Sequence, residues 1–225
     1  AAGFLASLAI PADTARIGWT SSATEAANLA ICGLRNSLGD AAIFAAPPTD
    51  HACIHAPLAA AAPGWCQLPV CRDGHLDYDA LPACLDRTIR LVCITALHNE
   101  TGVMHDLLRL RRLLDQHAPR ARLLVDAVQA VGRTPIPWRD AAIDLLLFSG
   151  RKLHGPAGTA CLIVRHGTPL TPIIHGGGQQ DNLRSGSIDA AGVPSSSDRQ
   201  PTEIESPGAP STCPEGRADL WSARI

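Results

Sequence analysis

Apolar runs and amphipathic stripes alternate along this chain. The segment ARIGWT, 15–20, reads as a short strand, and SSATEAANLAICGLRN, 21–36, as the helix that follows it. Ser22 and Glu25 stand at the S-x-x-E spacing of a capping box, in which serine and glutamate side chains satisfy the free amides of a helix start. LDYDALPACL, 76–85, reads as a short helix entered through Asp79, and RLVCIT, 90–95, as a β-rich run. In DLLRLRRLLDQH, 106–117, Leu107, Leu110 and Leu114 fall on one helical face, with Arg and Asp on the other. Pro119 ends that helix. ARLLVDA, 121–127, and IDLLLFS, 143–149, are continuously apolar, as strands covered on both faces are. TACLIVR, 159–165, adds another strand. Strands alternating with helices predict an α/β domain around a mainly parallel sheet.

The polar residues at the strand ends carry the candidate chemistry. Asp126 ends one buried strand, Ser149 and Lys152 follow another, and Asn99 follows a third. Ligands of open α/β sheets bind beyond the carboxyl ends of the strands. Asn99, Asp126, Gln129, Ser149 and Lys152 are therefore expected to converge on one crevice. A partly desolvated lysine loses its proton more easily and attacks carbonyl carbons. A carboxylate across the site holds a pyridine nitrogen protonated and makes its ring an electron sink. The helix start at Ser22 and Thr24 offers amides and dipole to a phosphate, or serves as a plain cap. Aldehyde, ring nitrogen and phosphate together describe pyridoxal phosphate.

Six blocks carry a resemblance: WTSSATEAANLAICG, TDHACIHAP, TALHNETGVMHD, LLVDAVQAVGR, FSGRKLHGPAGTACLIVR and HGGGQQDNLRSGSIDAAGV. In this order the chain resembles the cysteine desulfurases of the class V aminotransferase group, over about residues 1–193. SGRKLHGPAG is the most diagnostic block. The resemblance implies the large domain of a fold-type I pyridoxal-phosphate enzyme, three-layered and incomplete. Lys152 would join the cofactor aldehyde, and Asp126 would pair with the pyridine nitrogen. Gln129 would hydrogen-bond the phenolic oxygen, and His51 would stack on the ring and assist proton transfer. Asn99 would touch the cofactor or the substrate carboxylate side. Ala23, Thr24 and Ser149 would hold the phosphate, with Arg151 beside them where the family has His. Ser187 would reach the phosphate of the neighbouring subunit in a homodimer, and Arg184 would suit a carboxylate or phosphate. The implied reaction takes L-cysteine to L-alanine, passes sulfur to an enzyme cysteine and then to an acceptor protein, and feeds iron–sulfur cluster assembly.

The family motifs also leave alternatives open: a selenocysteine lyase, a sulfinate lyase, an aminotransferase, or an inactive remnant. Ser22 replaces a family Gly and His98 a frequent Asn. The family's N-A-A-T-T-P-like start has no counterpart here. Nor does its smaller second domain, with a substrate arginine and a nucleophilic cysteine. Cys213, in PSTCPEG, does not match that cysteine's loop.

Composition narrows the class. The 225 residues are 46% hydrophobic and 18% charged, with a net charge of −2, which favours neither nucleic acid nor an anionic membrane as partner. No apolar run reaches the roughly 18 residues of a membrane span. The start has no basic region ahead of its apolar stretch and makes a poor signal peptide. Eight cysteines without a C-x-x-C pair, several inside apolar runs, argue for buried free thiols in a reducing cytoplasm and against a metal site. After Val193 the chain turns to Pro, Ser and charge, so 194–225 is read as a disordered tail.

Overall fold

The computed structural model describes residues 2–187. It contains α1 (Ala2–Ser7), β1 (Ala15–Thr20), α2 (Ala23–Leu38), β2 (Ile43–Ala46), α3 (Ala52–Ala61) and β3 (Cys66–Gln67). These are followed by α4 (Leu81–Cys84), β4 (Ile89–Thr95), α5 (Leu107–His117), β5 (Arg122–Asp126), β6 (Leu145–Ser149), a 3₁₀ turn (Gly150–Leu153) and β7 (Ala160–Arg165). The tail 194–225, with Cys213, lies outside the described residues.

The strands form a seven-stranded sheet in the order β1-β7-β6-β5-β4-β2-β3. β3, β2, β4, β5 and β6 are parallel, and β7 is antiparallel to both β6 and β1. The carboxyl ends of β1, β2, β4, β5 and β6 therefore all emerge at one edge. Two registers cross that edge. Thr95 pairs with Asp126 and Asp126 with Leu147; Ser149 pairs with Ala160 and Ala160 with Thr20.

Both faces of the sheet are covered, because alternate residues of its central strands join different cores. Val92, Ile94, Leu123, Val125, Leu146, Phe148, Cys161 and Ile163 pack with Leu107, Leu110 and Leu114 of α5. Leu91, Cys93, Leu124, Leu145, Leu147, Leu162 and Val164 pack with α2 and α3. The leucine stripe read in 106–117 is the stripe that α5 buries. The three layers are those of the expected α/β fold. Met104, Leu108 and Ile174 are the large hydrophobics exposed among the described residues.

Ser22 Oγ caps α2 by accepting from Glu25 N, as the capping spacing predicts. Glu25 reaches one residue further back than a capping box requires, to the Ser21 amide at 2.8 Å. Asp106 caps α5 in the same way, accepting from Arg109 N at 2.8 Å. The helix entered through Asp79 is corrected. Asp77 is the residue that gathers the turn, its Oδ1 accepting from Asp79 N and Ala80 N, and α4 starts only at Leu81. Asp79 points away to pair with Arg109.

Gly33 shows how closely α2 is packed. A Cβ there would lie 2.5 Å from the Thr171 carbonyl oxygen, and the Thr171 amide donates to the Gly33 carbonyl at 3.1 Å. Gly33→Ala forces these backbones apart. Overpacking of this kind costs about 1–3 kcal/mol, read as a lower urea midpoint at unchanged slope. A midpoint equal to wild type would show that the two segments do not touch.

Candidate cofactor site

The expected polar residues occupy the carboxyl edge as four groups. The first is built on β5. Asp126 is buried, 3% exposed, on the face that β5 turns toward α2 and α3. Its Oδ1 accepts from Val128 N at 2.9 Å, and its Oδ2 accepts from the Cys53 thiol at 3.7 Å. Burial raises its pKa, while the Val128 amide, the nearby His51 charge and the Cys53 thiol pull the other way. His51 caps α3, with Nδ1 accepting from Cys53 N at 3.0 Å, and is exposed. Asp126 and His51 thus share one corner, joined through Cys53.

The second group is Asn99 and Gln129. Both line an open hollow of about 480 Å³ together with His98, Glu100, Thr101 and Arg133. Gln129 Oε1 accepts from Arg133 Nη1 at 2.8 Å. The third group is the start of α2. The amides of Ala23 and Thr24 have no hydrogen-bond partner among the described residues, and the Thr24 hydroxyl is exposed. Two such amides on a 16-residue helix are where an anion is held. Glu25 would oppose an anion here. Burial alone would raise its pKa, but hydrogen bonds from Arg184 and Ser21 outweigh that and hold it below the ordinary carboxylate value. Arg184 Nε meets Glu25 Oε1 at 2.8 Å and offsets its charge. Arg184, expected to suit a carboxylate or phosphate, pairs here with the Glu25 carboxylate.

The fourth group follows β6. Ser149 is half-buried and opens the 3₁₀ turn that presents Arg151 and Lys152, both exposed. Lys152 Nζ has no hydrogen bond or ion pair among the described residues. Ser187, also exposed, ends the described chain. The register places the third and fourth groups side by side, since Thr20 and Ser149 both flank Ala160. The hollow itself takes in Asn99 and Gln129 but neither Lys152 nor Asp126.

One further signal for this site stands in the sequence. Lys152 is the only lysine in the chain; the other eighteen of its nineteen Lys and Arg residues are arginine. Arginine serves every surface charge, ion pair and solvated face, but its guanidinium does not deprotonate and is no nucleophile. The single primary amine on a side chain stands on the turn beyond β6.

Sequence reasoning also missed Cys53 and Asp50. Asp50 is 5% exposed; its Oδ1 accepts from Thr95 N at 3.1 Å and its Oδ2 is buried without a partner. Burial, reinforced by the Asp126 charge, pushes Asp50 up to about 6. An aspartate raised in the folded state keeps its proton there after the unfolded chain has lost its own. Stability is thus present below about pH 4 and falls as pH rises from about 4 to about 6. Asp50→Asn removes the buried charge while its oxygen still accepts from Thr95 N. It is expected to flatten that fall and to stabilise the chain at pH 7 by up to about 3 kcal/mol. Urea melts at pH 4 and pH 7 check this; equal losses in wild type and variant would sink it.

These groups fit a ligand with an aldehyde, a ring nitrogen and a phosphate: an unpartnered amine, a buried carboxylate and two free helix amides. Among the described residues no cluster of His, Cys, Asp or Glu could hold a metal ion, and no helix is long and apolar enough to cross a membrane.

Residues 6–197 match the class-V aminotransferase family, and the chain belongs to it. The members of this family take pyridoxal 5′-phosphate as cofactor. Within the family, the chain is 33% identical over 189 residues to the cysteine desulfurase IscS of Dictyoglomus turgidum, covering 82% of this chain and 48% of that protein. It is 40% identical over 127 residues to a cysteine desulfurase of Cereibacter sphaeroides, covering 56% of this chain and 32% of that protein. A solved NifS-like protein from Rickettsia africae superposes with a TM-score of 0.73 at 30% identity, over 84% of this chain and 51% of that one. The chain spans about half or less of the curated relatives it matches.

Proposed function

We propose that this chain supplies the cofactor-holding part of a pyridoxal-phosphate-dependent cysteine desulfurase, which takes L-cysteine to L-alanine and passes the sulfur to an enzyme cysteine. The observation that carries the proposal is the lone lysine, Lys152, on the turn beyond β6, at the edge where buried Asp126 ends β5.

The bound cofactor supplies an aldehyde that captures amines and a ring that accepts electrons from the substrate Cα. Lys152 Nζ would be the amine that holds the cofactor aldehyde, and it would also be the amine placed to move the substrate Cα proton. Asp126 fixes the ring-nitrogen proton, because a buried carboxylate gains most from a cationic partner. The Ala23 and Thr24 amides and the Ser149 hydroxyl hold the phosphate, with the Arg151 cation beside them. His51, capping α3 next to Asp126, covers the ring. Asn99 and Gln129 present amide groups toward the phenolic oxygen and the substrate carboxylate. Ser187 contributes across a homodimer to the neighbouring phosphate.

The buried thiols among residues 2–187 are poorly suited to accept the sulfur. Burial, in Cys66 with help from nearby acidic groups, holds Cys32, Cys53, Cys66, Cys93 and Cys161 above the ordinary thiol value. Such thiols are poor nucleophiles. The seven cysteines among the described residues are free, which supports a reducing cytoplasm. Delivery of sulfur to an acceptor protein for iron–sulfur cluster assembly completes the reading.

The test is to load the purified chain with pyridoxal phosphate and follow its yellow absorbance, then add L-cysteine and assay alanine and sulfide. A colourless chain after loading refutes the cofactor reading. A yellow chain that converts another amino acid, but not L-cysteine, refutes the substrate.

A further inference from the structure

We infer that Arg133 is a positioning residue for the cofactor: it fixes which end of the Gln129 amide faces the site. The inference rests on the reading of Gln129 as the partner of the cofactor's phenolic oxygen. It adds a residue for which the family blocks above gave no role.

The geometry is specific. Gln129 and Arg133 lie on successive turns after β5, held by Val131 N to Ala127 O at 3.0 Å and Arg133 N to Ala130 O at 2.9 Å. Arg133 Nη1 donates twice to the same residue, at 2.7 Å to the Gln129 carbonyl and at 2.8 Å to its Oε1. A guanidinium carries donors only, so the amide atom that meets it must be the oxygen. The Gln129 NH₂ is thereby left as the free end. One nitrogen bridging side chain and backbone of one residue also pins the Gln129 side chain over its own turn. Both residues line the hollow that Asn99 and Glu100 close from the other side.

The turn is held against the lysine-bearing one. Gly132 has φ +77, and a Cβ there would lie 2.8 Å from Leu153 Cδ2. Leu153 follows Lys152 directly. Arg133 therefore orients an amide on a turn packed against the turn that carries the amine.

Orientation matters because the two ends of an amide act oppositely on a phenolic oxygen. The NH₂ donates to it and favours its ionised form; the carbonyl oxygen repels that form. Without Arg133 nothing among the described residues holds Gln129 Oε1, and the amide samples both orientations. A charge-assisted hydrogen bond lost in this way weakens binding roughly tenfold.

The experiment has two arms. In the first, the ¹⁵N-labelled chain without cofactor is compared with Arg133→Ala; Gln129→Ala identifies the Gln129 side-chain NH₂ resonances. The expected result is an ordered NH₂ in wild type that becomes mobile in Arg133→Ala, with Arg133→Lys intermediate. Arg133 is exposed, so the far-ultraviolet circular dichroism of all variants is expected to match wild type. In the second arm the loaded chains are titrated with pH and with cofactor. Arg133→Ala is expected to raise the pH at which the cofactor absorbance changes and to weaken cofactor affinity roughly tenfold. In a Gln129→Ala background the same substitution should change neither.

A mobile Gln129 NH₂ in wild type overturns the inference whatever the cofactor does. So does an Arg133 effect that persists in the Gln129→Ala background, which would make Arg133 a direct phosphate or carboxylate ligand. An ordered NH₂ that depends on Arg133, in a chain that takes no cofactor, supports the contact and refutes the functional reading instead.

Discussion

Lys152→Ala abolishes covalent capture of pyridoxal phosphate. Borohydride treatment of the loaded wild-type chain is expected to fix one cofactor per chain, on the peptide that contains Lys152. In Lys152→Ala that peptide carries nothing. The effect is all or none because the sequence offers no second lysine to take over. Lys152→Arg sharpens the test. It keeps the charge on the 3₁₀ turn, so phosphate attraction survives, but a guanidinium does not release a proton to attack an aldehyde. Arginine is thus expected to be as inactive as alanine in capture, while retaining more non-covalent affinity. Labelling spread over other residues, or persisting in Lys152→Ala, would remove Lys152 from the mechanism.

Asp126→Asn acts in opposite directions on the chain alone and on the loaded chain. Without cofactor, the Asp126 carboxylate is buried with two donors, Val128 N and the Cys53 thiol, and burial raises its pKa. Asparagine removes that charge and still offers an oxygen to Val128 N. The free variant is therefore expected to melt higher than wild type at neutral pH. With cofactor, the same change leaves a protonated pyridine without its anion. Removing one partner of a buried charge pair costs about 3–5 kcal/mol, or roughly a 10²- to 10⁴-fold loss in cofactor affinity. Thermal melts with and without cofactor measure both signs together. A variant that loses stability in both states would make Asp126 a structural cap.

The strand ends were legible because Asp126 and Ser149 close continuously apolar runs, and ligands of open α/β sheets bind beyond the carboxyl ends of such strands. The convergence of β1 with β6 was not legible. It depends on β7 running antiparallel between them, and LIVR reads alike in either direction. β2 and α3 carry neither alternation nor a stripe: IFAA is four residues long and ACIHAPLAAA is apolar on every side. Asp50 and Cys53 flank His51 at the start of α3, so their burial beside β4 and β5 was hidden with it. Asp79 looked like the better cap because it stands nearer to the leucines. Asp77 took the place because its side chain bends back over the turn.

The row that joins Thr20 to Ala160 and Ala160 to Ser149 also orders events in time. The α2 amides are synthesised well before β7, yet their position relative to Lys152 is set only when β7 pairs with β1. Pairings so distant in sequence carry a large loop-closure entropy and form late in folding. A nascent chain released before β7 holds the lysine but has nowhere to seat a phosphate. Cofactor capture is therefore a report on completed folding, and pyridoxal phosphate added during refolding should bind only in the final phase.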